Sequence, residues 1–252
     1  MNPDGLLLVQ LSDIHCGSRF EGRLLQRAID EINGLSPDLV VVTGDLTEDG
    51  IMSEFQEAKR YLDQIKCKHV VVGCGNHDSR TTGYILFPRF FGEPSSVTVV
   101  GDAALVMLNS SRPDREDGEI GYNQGLWMKH CLDQHKDKFK IVALHHHLIP
   151  VPDTGMERNI VSDAGDLLRT LMSENVNLVL CGHRHRPWLW KIGNLPIVYA
   201  GAASTKRLRG FYQNTYDIIR IKNWNVEATL KVVGDKEYSF NQIFAQTTES
   251  II

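Results

Sequence analysis

The chain of 252 residues predicts an α/β fold in which two mixed β-sheets pack together and are flanked by helices. Three observations predict it. Short runs rich in Val and Leu recur without polar–apolar alternation, as expected of strands buried on both faces. Segments with helical spacing separate them, the alternation that gives parallel pairing. After residue 188 the chain reads as successive strands with turn residues between them, which adds antiparallel pairing.

Taken in order, the runs "LLLVQLSD" (6–13), "DLVVVTGD" (38–45), "HVVVGCGNHD" (69–78), "FKIVALHHH" (139–147) and "VNLVLCGH" (176–183) are the buried strands. Between the first two, "EGRLLQRAIDEINGL" sets Leu24, Leu25, Ala28, Ile29 and Ile32 on one helical stripe. "SEFQEAKRYLDQI" does the same with Phe55, Ala58, Tyr61, Leu62 and Ile65. Two further helices are expected in "NQGLWMKHCLDQH" and in "SDAGDLLRTLMSEN", the latter opened by a Ser162 cap. "VTVVGDAALVMLN" (97–109) reads as two strands about a Gly-Asp turn. "WLWKIGNLPIVYAG" and "YDIIRIKNWNVEATLKVV" read as two more hairpins. With no linker, repeat or low-complexity segment, one domain over 1–240 is expected, with 241–252 a loosely attached tail.

Composition bounds the partners. The apolar fraction of 42% and charged fraction of 23% are those of a globular domain, and the net charge of −4 offers no bulk pull toward nucleic acid. No apolar run reaches the length of a membrane span, and the N-terminus lacks a basic n-region. The cysteines Cys16, Cys67, Cys74, Cys131 and Cys181 are odd in number and unpaired in spacing, which points to free thiols and a cytoplasmic protein.

The polar residues cluster where the strands end. Asp13-x-His15 follows the first strand, Gly44-Asp45 the second and Gly75-Asn76-His77-Asp78 the third; His145-His146-His147 and Gly182-His183-Arg184-His185 follow later ones. Each block alone has a plain structural reading: Asp45 as a helix cap, Asn76 and Asp78 as turn residues, the DxH as a loop. Only the HxH pair stands out singly, because i and i+2 on an extended segment share a face. Together they say more, since carboxyl ends of parallel strands converge on one crevice. Carboxylate, amide and imidazole donors without a thiolate cage suit manganese, iron or zinc.

These blocks, with Gly44-Asp45-(x)3-Asp49-Gly50 completing the second, resemble the five blocks of the calcineurin-like metallophosphoesterase superfamily. "LHHHLIPVP" and "CGHRHRP" are most similar to its bacterial class III cyclic-nucleotide phosphodiesterase branch. The resemblance implies a four-layer αββα sandwich and two divalent metal ions, with Asp13, His15 and His185 on one and Asn76, His183 and a histidine of the run on the other. It implies that Asp45 bridges them together with a hydroxide, which attacks a phosphodiester bond such as that of a 3',5'-cyclic nucleotide. His77 is then a catalytic residue facing the leaving oxygen, with Asp78 orienting its ring. A homodimer is a further family-based expectation.

Within the run, period-two geometry lets at most one side face the metals. Aligning it with the family's "HHHP" form makes His146 the ligand, with His145 the fallback because Leu148 stands where that form has proline. Beyond the blocks, Arg19, Phe20, Arg80, Lys206, Arg207 and Arg209 are candidates to meet a phosphate or a base, though solvated loop charge is the commoner reading. Trp188 and Trp190 share one strand face and read as core or interface. Competing functions are a DNA exonuclease, disfavoured by the acidic balance, a phosphomonoesterase using the same centre, and a non-catalytic scaffold, disfavoured because no ligand position is missing.

Overall fold

The computed structural model describes residues 5–240, so the expected tail at 241–252 lies outside the described residues. One six-stranded sheet has the order β12-β11-β10-β1-β2-β3 and the other β4-β5-β6-β7-β9-β8. In the first, β1 (Leu6–Leu11), β2 (Leu39–Val42) and β3 (Val70–Val72) run parallel. The hairpin of β10 (Thr215–Lys222) and β11 (Asn225–Val232) joins β1 antiparallel, and β12 (Glu237–Ser239) closes that edge. In the second sheet, β5 (Ala103–Met107), β6 (Phe139–Ala143), β7 (Leu178–Cys181) and β9 (Leu195–Tyr199) run parallel. Antiparallel β4 (Ser96–Val100) and β8 (Trp188–Ile192) form its edges. Both sheets are mixed, as the sequence pattern predicts.

Three cores account for the layering. Leu8, Leu39 and Val41 of one sheet meet Leu105, Ile141 and Leu180 of the other across the middle. The outer face of the first sheet packs against α1 (Gly22–Leu35), α2 (Met52–Leu62) and α3 (Gly83–Phe91), through Leu25, Ile29, Phe55 and Phe87. The outer face of the second packs against α4 (Gly121–Gln134) and α5 (Ala164–Ser173), through Met128, Leu132, Leu167 and Leu171. The central strands are therefore buried on both faces, which is why they lack alternation, and each fully buried Val or Leu contributes about 1.5–3 kcal/mol.

Local differences from the sequence reading have identifiable causes. Ser162 does not cap α5; Asp163 holds that position, and its carboxylate instead accepts from the Ile120 and Gly121 amides at 3.0 and 2.8 Å, tying α5 to the start of α4. The sequence pattern assigns nothing to 83–91, where α3 stands although it contains Pro88. Aromatic packing of Phe87, Phe90 and Phe91 on Phe55 holds it there, a tertiary cause invisible to helix propensity. Trp188 and Trp190 pack partly buried against the second outer core.

Candidate metal centre

The strand ends converge because the loops after them are stitched together. After β1 and β2 the chains continue as a backbone ladder: the Asp13, His15 and Cys16 amides donate to the carbonyls of Gly44, Asp45 and Leu46 at 2.8–3.0 Å. Beyond β6 and β7 of the second sheet, the Gly182 amide likewise donates to the His145 carbonyl at 2.8 Å. Two glycines allow the close approach. A Cβ on Gly75 would stand 2.1 Å from Asp45 Oδ1, and one on Gly182 would stand 2.0 Å from Ser12 Oγ and 2.9 Å from Asp13 Oδ2.

The backbone is strained where the donors sit. Asp13, His15, Asp45, His183 and His185 all have φ between 53 and 75°, in the left-handed region. For non-glycine residues that costs about 1 kcal/mol or more each, so the surrounding structure imposes it. All five are at least nine-tenths buried.

Their side chains form two groups that share one carboxylate. Asp13, His15, Asp45 and His185 bring one donor atom each to within 4.8 Å of one another, and so do Asp45, His145 and His183. In the first, His185 Nε2 lies 2.9 Å from His15 Nε2 and 3.1 Å from Asp13 Oδ1. Asp45 Oδ2 lies 3.6 Å from His15 Nε2 and 3.3 Å from His145 Nε2, between the groups. Asn76 joins the second, its Oδ1 3.1 Å from His145 Nε2 and 2.9 Å from His183 Nδ1.

The back nitrogens show which face of each ring is offered. His145 Nδ1 donates to the Thr43 carbonyl at 2.7 Å, and His185 Nδ1 donates to the Arg207 carbonyl. His15 Nδ1 faces Glu48 Oε2 at 3.3 Å. An oxygen on the rear nitrogen fixes the tautomer and leaves the Nε2 lone pair pointing into the cluster, the usual arrangement of a metal-ligating histidine.

His146, the residue that the aligned register makes a ligand, has no such lone pair to offer. Its Nε2 donates to the Glu116 carbonyl at 3.2 Å, so its Nδ1 accepts from Ser110 Oγ at 2.8 Å. The structure brings His145, and not His146, among the other donors. The cause is that β6 ends at Ala143, so period-two geometry does not extend through the run. Leu148, standing where the aligned form has proline, packs into the second outer core. His147 stacks on the His183 ring (centroids 5.4 Å apart) with Nε2 2.7 Å from Glu157 Oε2.

Asp78 also differs from its expected part. Its Oδ1 accepts from the amides of Leu46 and Thr47 and from Thr47 Oγ1, and its Oδ2 from the Gly75 amide, all at 2.8–2.9 Å. It holds the loops after β2 and β3 together rather than touching His77. The His77 ring is set by its Nδ1 donating to the Glu48 carbonyl at 2.6 Å and by Arg207 Nη1 donating to Nε2 at 3.0 Å. The His77 amide, in a single turn of 3₁₀ helix, donates to Asp45 Oδ1 at 2.9 Å.

Electrostatics agree with a cation site. Burial pushes the His15 imidazole down to about 4 and His183 well below its ordinary value, keeping both neutral. Burial opposes charge on Asp13 and Asp45 too, yet His185 beside the first and His145 beside the second hold both carboxyls below the usual range. Burial likewise opposes charge on His145, but the Asp45 carboxylate raises it to about 9. Burial, and then the Asp45 charge, raise Asp78 to about 7. The donor set fits divalent cations: two carboxylates, an amide oxygen and imidazole lone pairs, with buried Asp13 Oδ1 in the first group left without a hydrogen-bond partner.

Against this geometry, the calcineurin-like phosphoesterase family profile matches residues 6–187. The chain belongs to that family. It is a metal-dependent hydrolase of phosphoric esters. Among its relatives, a probable cyclic nucleotide phosphodiesterase of Synechococcus sp. is 31% identical over 72% of this chain and 75% of that one. A probable glycerophosphodiester phosphodiesterase of Arcobacter nitrofigilis is 26% identical over 72% of each. The solved structure of purple acid phosphatase PPD1 from yellow lupin seeds superposes with a TM-score of 0.75 at 14% identity. It covers 93% of this chain, which spans about half (52%) of that one, and so speaks to the fold alone. No helix among the described residues is long and apolar enough to cross a membrane.

Sequence reasoning missed the supports. Glu48, Glu116 and Glu157 meet His15, Arg80 and His147. Only Glu48 carried a signal, a carboxylate three residues after Asp45 in the second block.

Proposed function

We propose that this chain is a dinuclear-metal phosphodiesterase acting on small phosphodiesters, the 3',5'-cyclic nucleotides among them. The observation that carries the reading is Asp45, one buried carboxylate shared by two groups of inward-facing donors. Asp13, His15 and His185 would hold one cation, Asn76, His183 and His145 the other, with Asp45 between them. Two divalent ions such as manganese, iron or zinc would supply Lewis acidity toward the phosphoryl oxygens and a hydrolytic nucleophile at neutral pH.

The chain's own residues do the rest. Asp13 and Asp45 are the only carboxylates in the donor set, so with two divalent ions held there the floor would be net positive toward an anionic ester. His77 lines the cleft over Asp45, beside Arg207. Once Arg207 turns from His77 Nε2 to the substrate anion, Nε2 can carry a proton to the leaving oxygen, while the Glu48 carbonyl holds the ring through Nδ1. The names of the relatives favour a diester substrate, cyclic or linear.

The test is a manganese-reconstituted panel of cyclic nucleotides, bis(p-nitrophenyl) phosphate, p-nitrophenyl phosphate and single-stranded DNA. The reading expects the small diesters to exceed the monoester in kcat/KM by about tenfold or more. A monoester or DNA preference would replace it. His77→Ala should keep its metal while kcat falls about 100-fold; loss of metal would make His77 a ligand instead.

A further inference from the structure

The cleft above Asp45 is lined by two cations, Arg207 and Arg209, and several others in the loops around it are held by partners. Arg80 Nη2 reaches Glu116 Oε1 at 2.6 Å. Arg184 donates to Thr154 O and Oγ1 at 2.8 and 2.7 Å, Arg186 reaches Asp153 at 3.0 Å, and Lys206 reaches Glu21 at 2.8 Å. Arg207 donates to His77 and lies 4.0 Å from Glu48. Arg209 also lines the cleft, but its guanidinium has no hydrogen bond or ion pair among the described residues.

That position is unfavourable as it stands. Arg209 is half-buried, and burial and then the like charges of Arg184 and Arg207 act against its charge, while Asp13, paired with His185, and Glu116, paired with Arg80, favour it. A partly desolvated cation crowded by two others costs free energy unless an anion lies against it. The loop is not free to swing it away. Asn214 Nδ2 donates to the Ala202 and Thr205 carbonyls at 3.2 and 3.0 Å, and His185 Nδ1 donates to the Arg207 carbonyl. Gly210, at φ +60°, lies so close to Arg186 that an added Cβ would stand 2.9 Å from its Cδ. Acidic groups at the mouth do not meet the need, since Glu116 is bound by Arg80 and Glu48 faces His15 and Arg207.

We infer that Arg209 is a specificity residue that binds a second phosphate carried by the substrate next to the ester being cleaved. The inference rests on the phosphodiesterase reading and deepens it: among small phosphodiesters, those bearing an additional phosphate bind best. Guanidinium groups bind phosphate oxygens bidentately, and the floor already takes the first phosphate.

The experiment is calorimetric binding to the full chain reconstituted with manganese, using adenosine 5'-monophosphate and adenosine 3',5'-bisphosphate as probes. The wild type should bind the bisphosphate roughly 10- to 100-fold more tightly, one charge-assisted contact's worth. Arg209→Gln should reduce that ratio to about one, and Arg209→Lys, which keeps the charge, should retain part of it. Equal affinities in the wild type, or a ratio unchanged in Arg209→Gln with the variant folded, would overturn the inference. Hydrolysis of bis(p-nitrophenyl) phosphate, measured alongside, separates the two readings. Robust hydrolysis without the affinity ratio sinks this inference alone, whereas the ratio without hydrolysis sinks the phosphodiesterase reading.

Discussion

The floor of the cleft and its rim are built on opposite terms. The floor is made of buried residues at strand ends, most of them held in strained backbone and stitched by main-chain hydrogen bonds. The rim is made of long charged side chains on loops, most of them tied in ion pairs, from the exposed Lys206 to the buried Arg186. The difference divides the labour. The floor has one geometry available, so it sets the reaction class, while the rim varies cheaply and sets what is bound. Surface ion pairs contribute little stability, so their value in the rim is positional.

If that division is right, damage to the floor should be graded by how directly a residue offers its lone pair. The largest effect is expected for Asp45→Ala, which removes the shared donor; turnover of bis(p-nitrophenyl) phosphate should fall about 1000-fold or more. Retained turnover would break the comparison at its centre. Next come two neighbours that differ in one respect only. His145→Ala should lose about 100-fold in turnover and one metal site. His146→Ala should lose less than tenfold and show its cost in folding stability, about 1–3 kcal/mol for the buried partners it leaves. The reverse order would restore His146 as the ligand. The smallest effect is expected for Glu48→Gln, which should lower metal affinity roughly 10- to 100-fold through His15; an unchanged affinity would show that this carboxylate serves the rim alone.

How much could be read in advance follows the same division. Both mixed sheets and the convergence of the strand ends were readable, because buried strands and glycine-flanked donors leave local patterns. Helix α3 was not, since Phe55 supplies its reason from another helix. In the histidine run the structure sets His145 rather than His146 among the other donors, one residue from the aligned register, because β6 ends at Ala143 and strand alternation does not continue through the run. Asp78 was recognised as important but given a different partner; its oxygens are consumed by four donors from the loops after β2 and β3. Arg209 was visible as a rim candidate, but its lack of a partner is a property of the folded loop.

The central claim is that two groups of donors sharing Asp45 hold two cations. Elemental analysis of the full chain after manganese reconstitution and removal of free metal tests it most directly. The account predicts about two metal ions per chain in the wild type and at most one in His145→Ala, with two retained in His146→Ala. One ion or none in a correctly folded wild type, or loss from His146→Ala with His145→Ala intact, would contradict it.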